Sequence, residues 1–205
     1  YKLSERFEIE TAKESDYVFT ITQALKDILV ENGVEEEKIS VLPNAVDSSK
    51  FNIAPKDKKL ESELGFEGKV VIGYIGSFVE YEGLDLLLEA CSILKEKHGD
   101  IFRLLLVGDG DTMQLLRRTA RFLQLEDQVV FTGRIPHDDV QRYYSLIDIA
   151  PLPRKGLRVC ELVSPLKPFE AMGAGKVLIT SSVQALAEIV EDGVTGMIFE
   201  KENSE

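Results

Sequence analysis

Short continuous apolar runs recur along the chain, each followed by a turn and then by a stretch with helical spacing. The densest run is Val70-Val71-Ile72-Gly73-Tyr74-Ile75-Gly76, of the kind buried on both faces of a parallel sheet. Leu84 to Lys97 follows, with Leu84, Leu87, Leu88, Cys91 and Leu94 on one helical stripe. The rhythm then continues: strand 103–107, helix 112–123, strand 129–132, helix 139–146 and strand 148–152. Helix 165–174, strand 177–180, helix 184–191 and a closing turn and strand over 193–199 complete it. Upstream, Ser15-Asp16 leads into a strand from Tyr17 to Ile21. Thr22 caps a helix through Asn32, with Gly33 as its stop. A strand from Lys38 to Leu42 ends at Pro43-Asn44. This alternation predicts right-handed βαβ units in a Rossmann-like, doubly wound parallel sheet of the α/β class. Such sheets bind ligands beyond the carboxyl ends of their strands, so the loops after strands are where chemistry is sought.

Pro43, Asn44 and Asp47 mark a boundary, and the polar stretch to Lys59 reads as a linker. Composition narrows the function. A formal charge of −12 over 205 residues argues against a nucleic-acid or anionic-membrane binder. Cys91 and Cys160 stand outside any CxxC arrangement and read as reduced thiols of a cytoplasmic protein. With His98 and His137 as the two histidines, a His-rich metal site is not available. No run approaches the roughly 18 apolar residues of a membrane span. Tyr1 begins the chain without a leader, so it reads as a cut-out from a longer soluble polypeptide.

Gly108-Asp109-Gly110 follows a strand and precedes a helix, a phosphate-friendly place. Met113 stands where the dinucleotide fingerprint needs its third glycine, which disfavours an NAD-type site. Asp109-Gly110-Asp111 matches a metal-binding Asp-x-Asp, but reads better as a helix start capped by Asp111. Gly73 and Gly76 permit either a close ligand approach or a tight turn. Arg154, Lys155, Arg158 and Lys167 place four cations within fourteen residues, after a strand and at a helix start. They suit a diphosphate, where the plainer reading is a solvated loop. Glu170, on the same helix, suits ribose hydroxyls, where the plainer reading is a surface glutamate.

The stretch Ser164-Pro165-Leu166-Lys167-Pro168-Phe169-Glu170-Ala171-Met172-Gly173-Ala174-Gly175-Lys176-Val177 resembles the donor-site motif of retaining glycosyltransferases of family 4. Val41-Leu42-Pro43-Asn44-Ala45-Val46-Asp47 is similar to that family's interdomain segment. Leu106 to Gly110, Val130 to Gly133 and Glu188 to Gly196 match further segments in the expected order. The resemblance implies the C-terminal half of a GT-B fold. Residues 1–42 would be the tail of the N-terminal acceptor domain, 43–59 the interdomain linker, and 60–205 the nucleotide-sugar donor-binding domain. It implies catalytic roles for Glu161 and Lys167. It further implies donor-nucleotide contacts from Glu170, Gly76, Gly108, Gly133, Arg134, Arg154, Arg158, Ser164 and Leu166. No metal and no cofactor are expected. Two places depart from the family. Gly76-Ser77 and Glu82-Gly83 stand where it commonly carries cations. Its paired glutamates are normally separated by seven residues, and counting back from Glu170 lands on Leu162, with Glu161 one position further. Either the loop is shifted and Glu161 contacts the sugar, or that role is absent.

The expected function is hexose transfer from a nucleoside-diphosphate sugar to a hydroxyl acceptor, with retention. The alternatives are a GT-B nucleotide-sugar epimerase and a non-catalytic nucleotide-binding or interaction module. The expected partners are the sugar donor and the missing acceptor domain, to which any peripheral membrane contact is assigned. The 205-residue chain alone is expected to be inactive.

Overall fold

The computed structural model describes residues 2–204. The main body is a six-stranded, wholly parallel sheet of β3 (Val70–Ile75), β4 (Phe102–Val107), β5 (Val129–Gly133), β6 (Ile149–Leu152), β7 (Val177–Ser181) and β8 (Met197–Phe199). Its spatial order is β5-β4-β3-β6-β7-β8. The connections from β3 run outward one way and those from β6 the other, so the topological switch lies between β3 and β6. The right-handed crossover rule sends α4 (Leu84–His98) and α5 (Met113–Phe122) to one face. It sends α6 (Val140–Leu146), α7 (Arg158–Leu162), α8 (Lys167–Gly173) and α9 (Gln184–Ala187) to the other. The contacts agree, with α4 against α5 and α7 against α9.

The central strands read as unbroken apolar runs because both faces are covered. Val71, Tyr74, Phe102, Leu104, Leu105, Leu106 and Val107 are all buried in one core with Leu84, Leu88 and Cys91 of α4. Gly73 is small for a packing reason, since a Cβ there would lie 2.3 Å from Ile147. Asp148 holds β3 to β6 where the ladder is thin, accepting from the Val71 amide at 2.9 Å and pairing with Lys56. Burial pushes the Cys91 thiol up to about 12 and raises that of Cys160 as well. Both thiols are free and buried.

The leading segment forms a smaller unit with a core of its own. It comprises α1 (Lys2–Glu14), β1 (Val18–Thr20), α2 (Gln23–Glu31) and β2 (Ile39–Val41), with β1 parallel to β2 and Ala12, Val34 and Ile39 buried together. Thr22 caps α2 as the sequence predicts, accepting from the Leu25 amide at 3.2 Å. The small unit is tied to the large one by directed hydrogen bonds. Thr22 donates to the Leu162 carbonyl at 2.7 Å, and Glu188 accepts from the Gln23 and Ala24 amides at 2.8 and 3.0 Å. The stretch read as a linker is strapped down. Phe51 stacks edge-on to Tyr144, Asp57 accepts from Arg142 at 2.8 Å, and α3 (Lys58–Glu63) starts within it.

Two readings need correcting. Asp111 does not cap α5. The N-cap is Thr112, whose side chain makes no capping bond; its amide and that of Met113 donate to the Phe78 and Gly110 carbonyls. The chain's return over the β3 loop supplies the acceptors that an aspartate would have offered. The helix expected over 184–191 stops at Ala187, because Glu188 turns to α2 and the chain folds back at Gly193, whose φ is +73°.

Candidate active site at the carboxyl edge of the sheet

The loops after β3, β4 and β5 are stitched together by backbone. The Gly76 amide donates to the Val107 carbonyl at 2.9 Å, the Gly108 amide to Gly133 at 3.0 Å, and the Phe78 amide to Asp109 at 3.0 Å. Gly108 has φ +134°, and a Cβ there would lie 1.8 Å from the Gly76 carbonyl oxygen. Glycine at 108 is therefore needed for loop packing, whatever it does for a ligand. Gly133, with φ +74°, faces open space. Arg134 beside it is exposed and reaches Asp109 at 3.8 Å.

Across the switch point, the β3 and β6 loops meet at Gly83 and Pro153. Gly83 ends the helical turn Glu80–Glu82 in the left-handed region, with φ +70°, and a Cβ there would sit 1.9 Å from the Pro153 carbonyl oxygen. This approach brings Glu82 against Arg154. Glu82 is 3% exposed and Arg154 4%. Oε1 of Glu82 accepts from Arg154 Nη2 at 3.3 Å and from Lys167 Nζ at 3.2 Å. Arg154 also donates to the Val163 carbonyl at 2.8 Å and lies over the Tyr81 ring. The Lys167 ammonium lies 5.3 Å from the Tyr74 ring centre, and its Cε would be 2.4 Å from a Cβ at Gly76. Burial, followed by the charge of Glu82, pushes the Tyr74 phenol far above its ordinary value, so it stays protonated and donates to the Ser77 carbonyl.

Lys167 begins α8, and Glu170 lies in the first turn of the same helix. Oε2 of Glu170 accepts from the Tyr144 hydroxyl at 3.0 Å. Ser164 is buried before that helix, and its carbonyl accepts from Asn44 at 2.8 Å. Leu166 is half-exposed.

The structure thus brings Gly76, Arg154 and Lys167 together, with Glu170 near on the helix of Lys167. Arg158, Lys155 and Glu161 are engaged elsewhere. Arg158 opens α7 and pairs with Glu5 of α1 at 2.5 Å. Lys155 pairs with Asp85 at 2.6 Å. Glu161 accepts from the Gln184 amide at 2.8 Å and pairs with Lys201 at 2.6 Å, bracing the start of α9. Partial burial pushes its carboxyl up, but Lys201 and the Gln184 amide outweigh that and hold it below the ordinary range. The structure adds Tyr74 and Tyr144 to the site and gives Glu82, which the sequence marks only as standing in place of a cation, direct contact with Arg154 and Lys167. The place of Glu82 after a central strand was the available signal; Tyr144 carried none. A separate apolar cavity of 530 Å³ lies between α4 and the sheet, lined by Ile72, Leu87, Cys91, Ile149 and Ile179.

Residues 55–205 match the family model described as glycosyl transferases group 1. The chain belongs to that family. An uncharacterized glycosyltransferase of Methanocaldococcus jannaschii is 25% identical, with 94% of this chain aligned to 47% of that protein. The amylovoran biosynthesis glycosyltransferase AmsK of Erwinia amylovora is 26% identical, over 90% of this chain and 44% of its own length. This member of the family therefore spans about half the length of the curated relatives it matches. Among solved structures, Anabaena HepE in complex with UDP and glucose superposes with a TM-score of 0.81 at 23% identity, covering 100% of this chain and 55% of that one. Staphylococcus aureus TarM, in a complex containing UDP, gives a TM-score of 0.79 at 21% identity, covering 100% of this chain and 38% of that one. The architecture is that of GT-B glycosyltransferases. Among the described residues, no helix is long and apolar enough to cross a membrane.

Proposed function

We propose that the chain is the donor-binding half of a retaining glycosyltransferase of family 4, moving a hexose from a nucleoside-diphosphate sugar to a hydroxyl acceptor. Residues 60–205 carry the donor site, residues 43–59 link it to the acceptor half, and residues 1–42 belong to that half. One observation carries the reading: Lys167 and Glu170 lie three residues apart on a helix at the switch point, with Arg154 and Gly76 beside the lysine. The presence of UDP in the HepE and TarM complexes supports a nucleotide ligand. In this reading Lys167 offsets the charge that develops on the leaving phosphate as the bond to the sugar breaks. Glu170 accepts from ribose hydroxyls, held in orientation by Tyr144. Gly76, Gly108 and Gly133 present backbone toward the nucleotide, and Ser164 and Leu166 line its approach. Donor binding requires no metal.

A second reading, a non-catalytic nucleotide-binding module, draws on the pairing of both Arg154 and Lys167 with Glu82. Transfer by the full-length protein would exclude it.

Lys167→Ala is expected to weaken a nucleoside diphosphate by several-fold, up to about tenfold, relative to the bare nucleoside, since Lys167 already pairs with Glu82 and a charge-assisted contact there is partly offset. Calorimetric titration of both ligands measures this. Equal losses would give Lys167 a structural role and place the diphosphate elsewhere.

A further inference from the structure

A buried carboxylate at a phosphate site demands an explanation. Glu82 lies between Arg154 and Lys167, sharing one oxygen with both at 3.3 and 3.2 Å. Among the described residues, its second oxygen and the Nε of Arg154 have no hydrogen-bond partner. The cluster is therefore imperfectly satisfied, and such ion groups seldom stabilise a fold more than apolar packing would. Its retention as pure scaffolding is poorly supported by energetics.

The geometry suggests a different role. Arg154 is buried and held in place by Glu82, the Val163 carbonyl and the Tyr81 ring. Lys167 is the member that reaches solvent, with 19% of its side chain exposed beside Gly76. An incoming phosphate thus meets an ammonium already holding a carboxylate. Two cations and one carboxylate leave a single net positive charge in the cluster, whereas a terminal phosphate carries about −1.5 to −2 at neutral pH.

We propose that Glu82 is a specificity-determining counter-ion of the donor site. It competes with the ligand's phosphate oxygens for the Lys167 ammonium, so the pocket gains little affinity from each added phosphate charge. This rests on the donor reading above. It also implies that the nucleoside diphosphate product is held loosely and leaves readily.

The test is an affinity ladder of nucleoside, nucleoside monophosphate and nucleoside diphosphate, titrated into the 205-residue chain and into Glu82→Gln. Uridine, guanosine, adenosine and thymidine series are each run. In the unmutated chain the step from nucleoside to diphosphate is expected to raise affinity by about tenfold or less. In Glu82→Gln that step should widen by about tenfold more, with nucleoside affinity unchanged. A hundredfold or larger step in the unmutated chain overturns the proposal, and this arm needs no variant to fold. Equal or parallel weakening of all three ligands in Glu82→Gln also overturns it, making Glu82 a strut. Absence of any binding by both proteins overturns the donor reading itself, and the counter-ion role with it.

Discussion

Gly83→Ala is expected to destabilise the protein by roughly 3–5 kcal/mol. The expectation has two parts. Gly83 holds φ +70° and ψ 26°, which a residue with a Cβ adopts at a cost of about 1–2 kcal/mol. The new methyl would also lie 1.9 Å from the Pro153 carbonyl oxygen and 2.9 Å from its carbon. Both are backbone atoms and cannot swing aside as a side chain does. Relief requires the β3 and β6 loops to separate at the switch point, carrying Glu82 away from Arg154. Gly65→Ala isolates the first part, since Gly65 has φ +69° with nothing within 4 Å of its added Cβ. It should cost only about 1–2 kcal/mol. Denaturant unfolding of both variants gives the comparison, and equal losses would show that the Pro153 contact is not limiting.

Glu170→Gln is expected to lower nucleotide affinity by roughly 1–3 kcal/mol, or about five- to a hundredfold, with a melting temperature nearly unchanged. The Tyr144 hydroxyl occupies one carboxylate oxygen at 3.0 Å. Burial, and then the charge of Glu170, pushes the Tyr144 phenol well above its ordinary value, so it remains a donor. That bond fixes the carboxylate and leaves its other oxygen for a ribose hydroxyl. A glutamine keeps the Tyr144 bond through its carbonyl, yet then offers an NH₂ group where an acceptor is needed. A 2′-deoxy nucleotide should bind the unmutated chain poorly, and the mutation should add little further loss for it. Two changes that remove one contact are not additive. Fully additive losses would place the ribose elsewhere, and a large fall in melting temperature would give Glu170 a structural role.

The sheet was legible because its strands are fully buried. Runs such as Val70–Ile75 and Phe102–Val107 have no polar face to interrupt them, and their limits were read to within one residue. The elements that escaped are short or apolar-poor. Helix α1 buries Ala12 and leaves Leu3 and Phe7 exposed, so it has no strong stripe to read. Helix α7 is five residues long, inside what read as a basic loop. The site was half legible for the same reason. Lys167 and Glu170 lie on one helix, where local spacing places them together. Glu82 meets Arg154 across 72 residues and Lys167 across 85, and local spacing carries no trace of such pairs. The early end of α9 has the same origin, because Glu188 serves the amides of Gln23 and Ala24, more than 160 residues away. Counting cations overstated the charge available to a phosphate, since Arg158, Lys155, Arg154 and Lys167 are each paired with a carboxylate, the last two sharing Glu82.

The central claim, a metal-independent donor-nucleotide site at the switch point, is tested most directly by calorimetric titration of the 205-residue chain with UDP, GDP, ADP and TDP in the presence of EDTA. One of these is expected to bind at one molecule per chain, with the same affinity before and after chelation. Failure of all four to bind, or binding abolished by EDTA and restored by manganese, would contradict it.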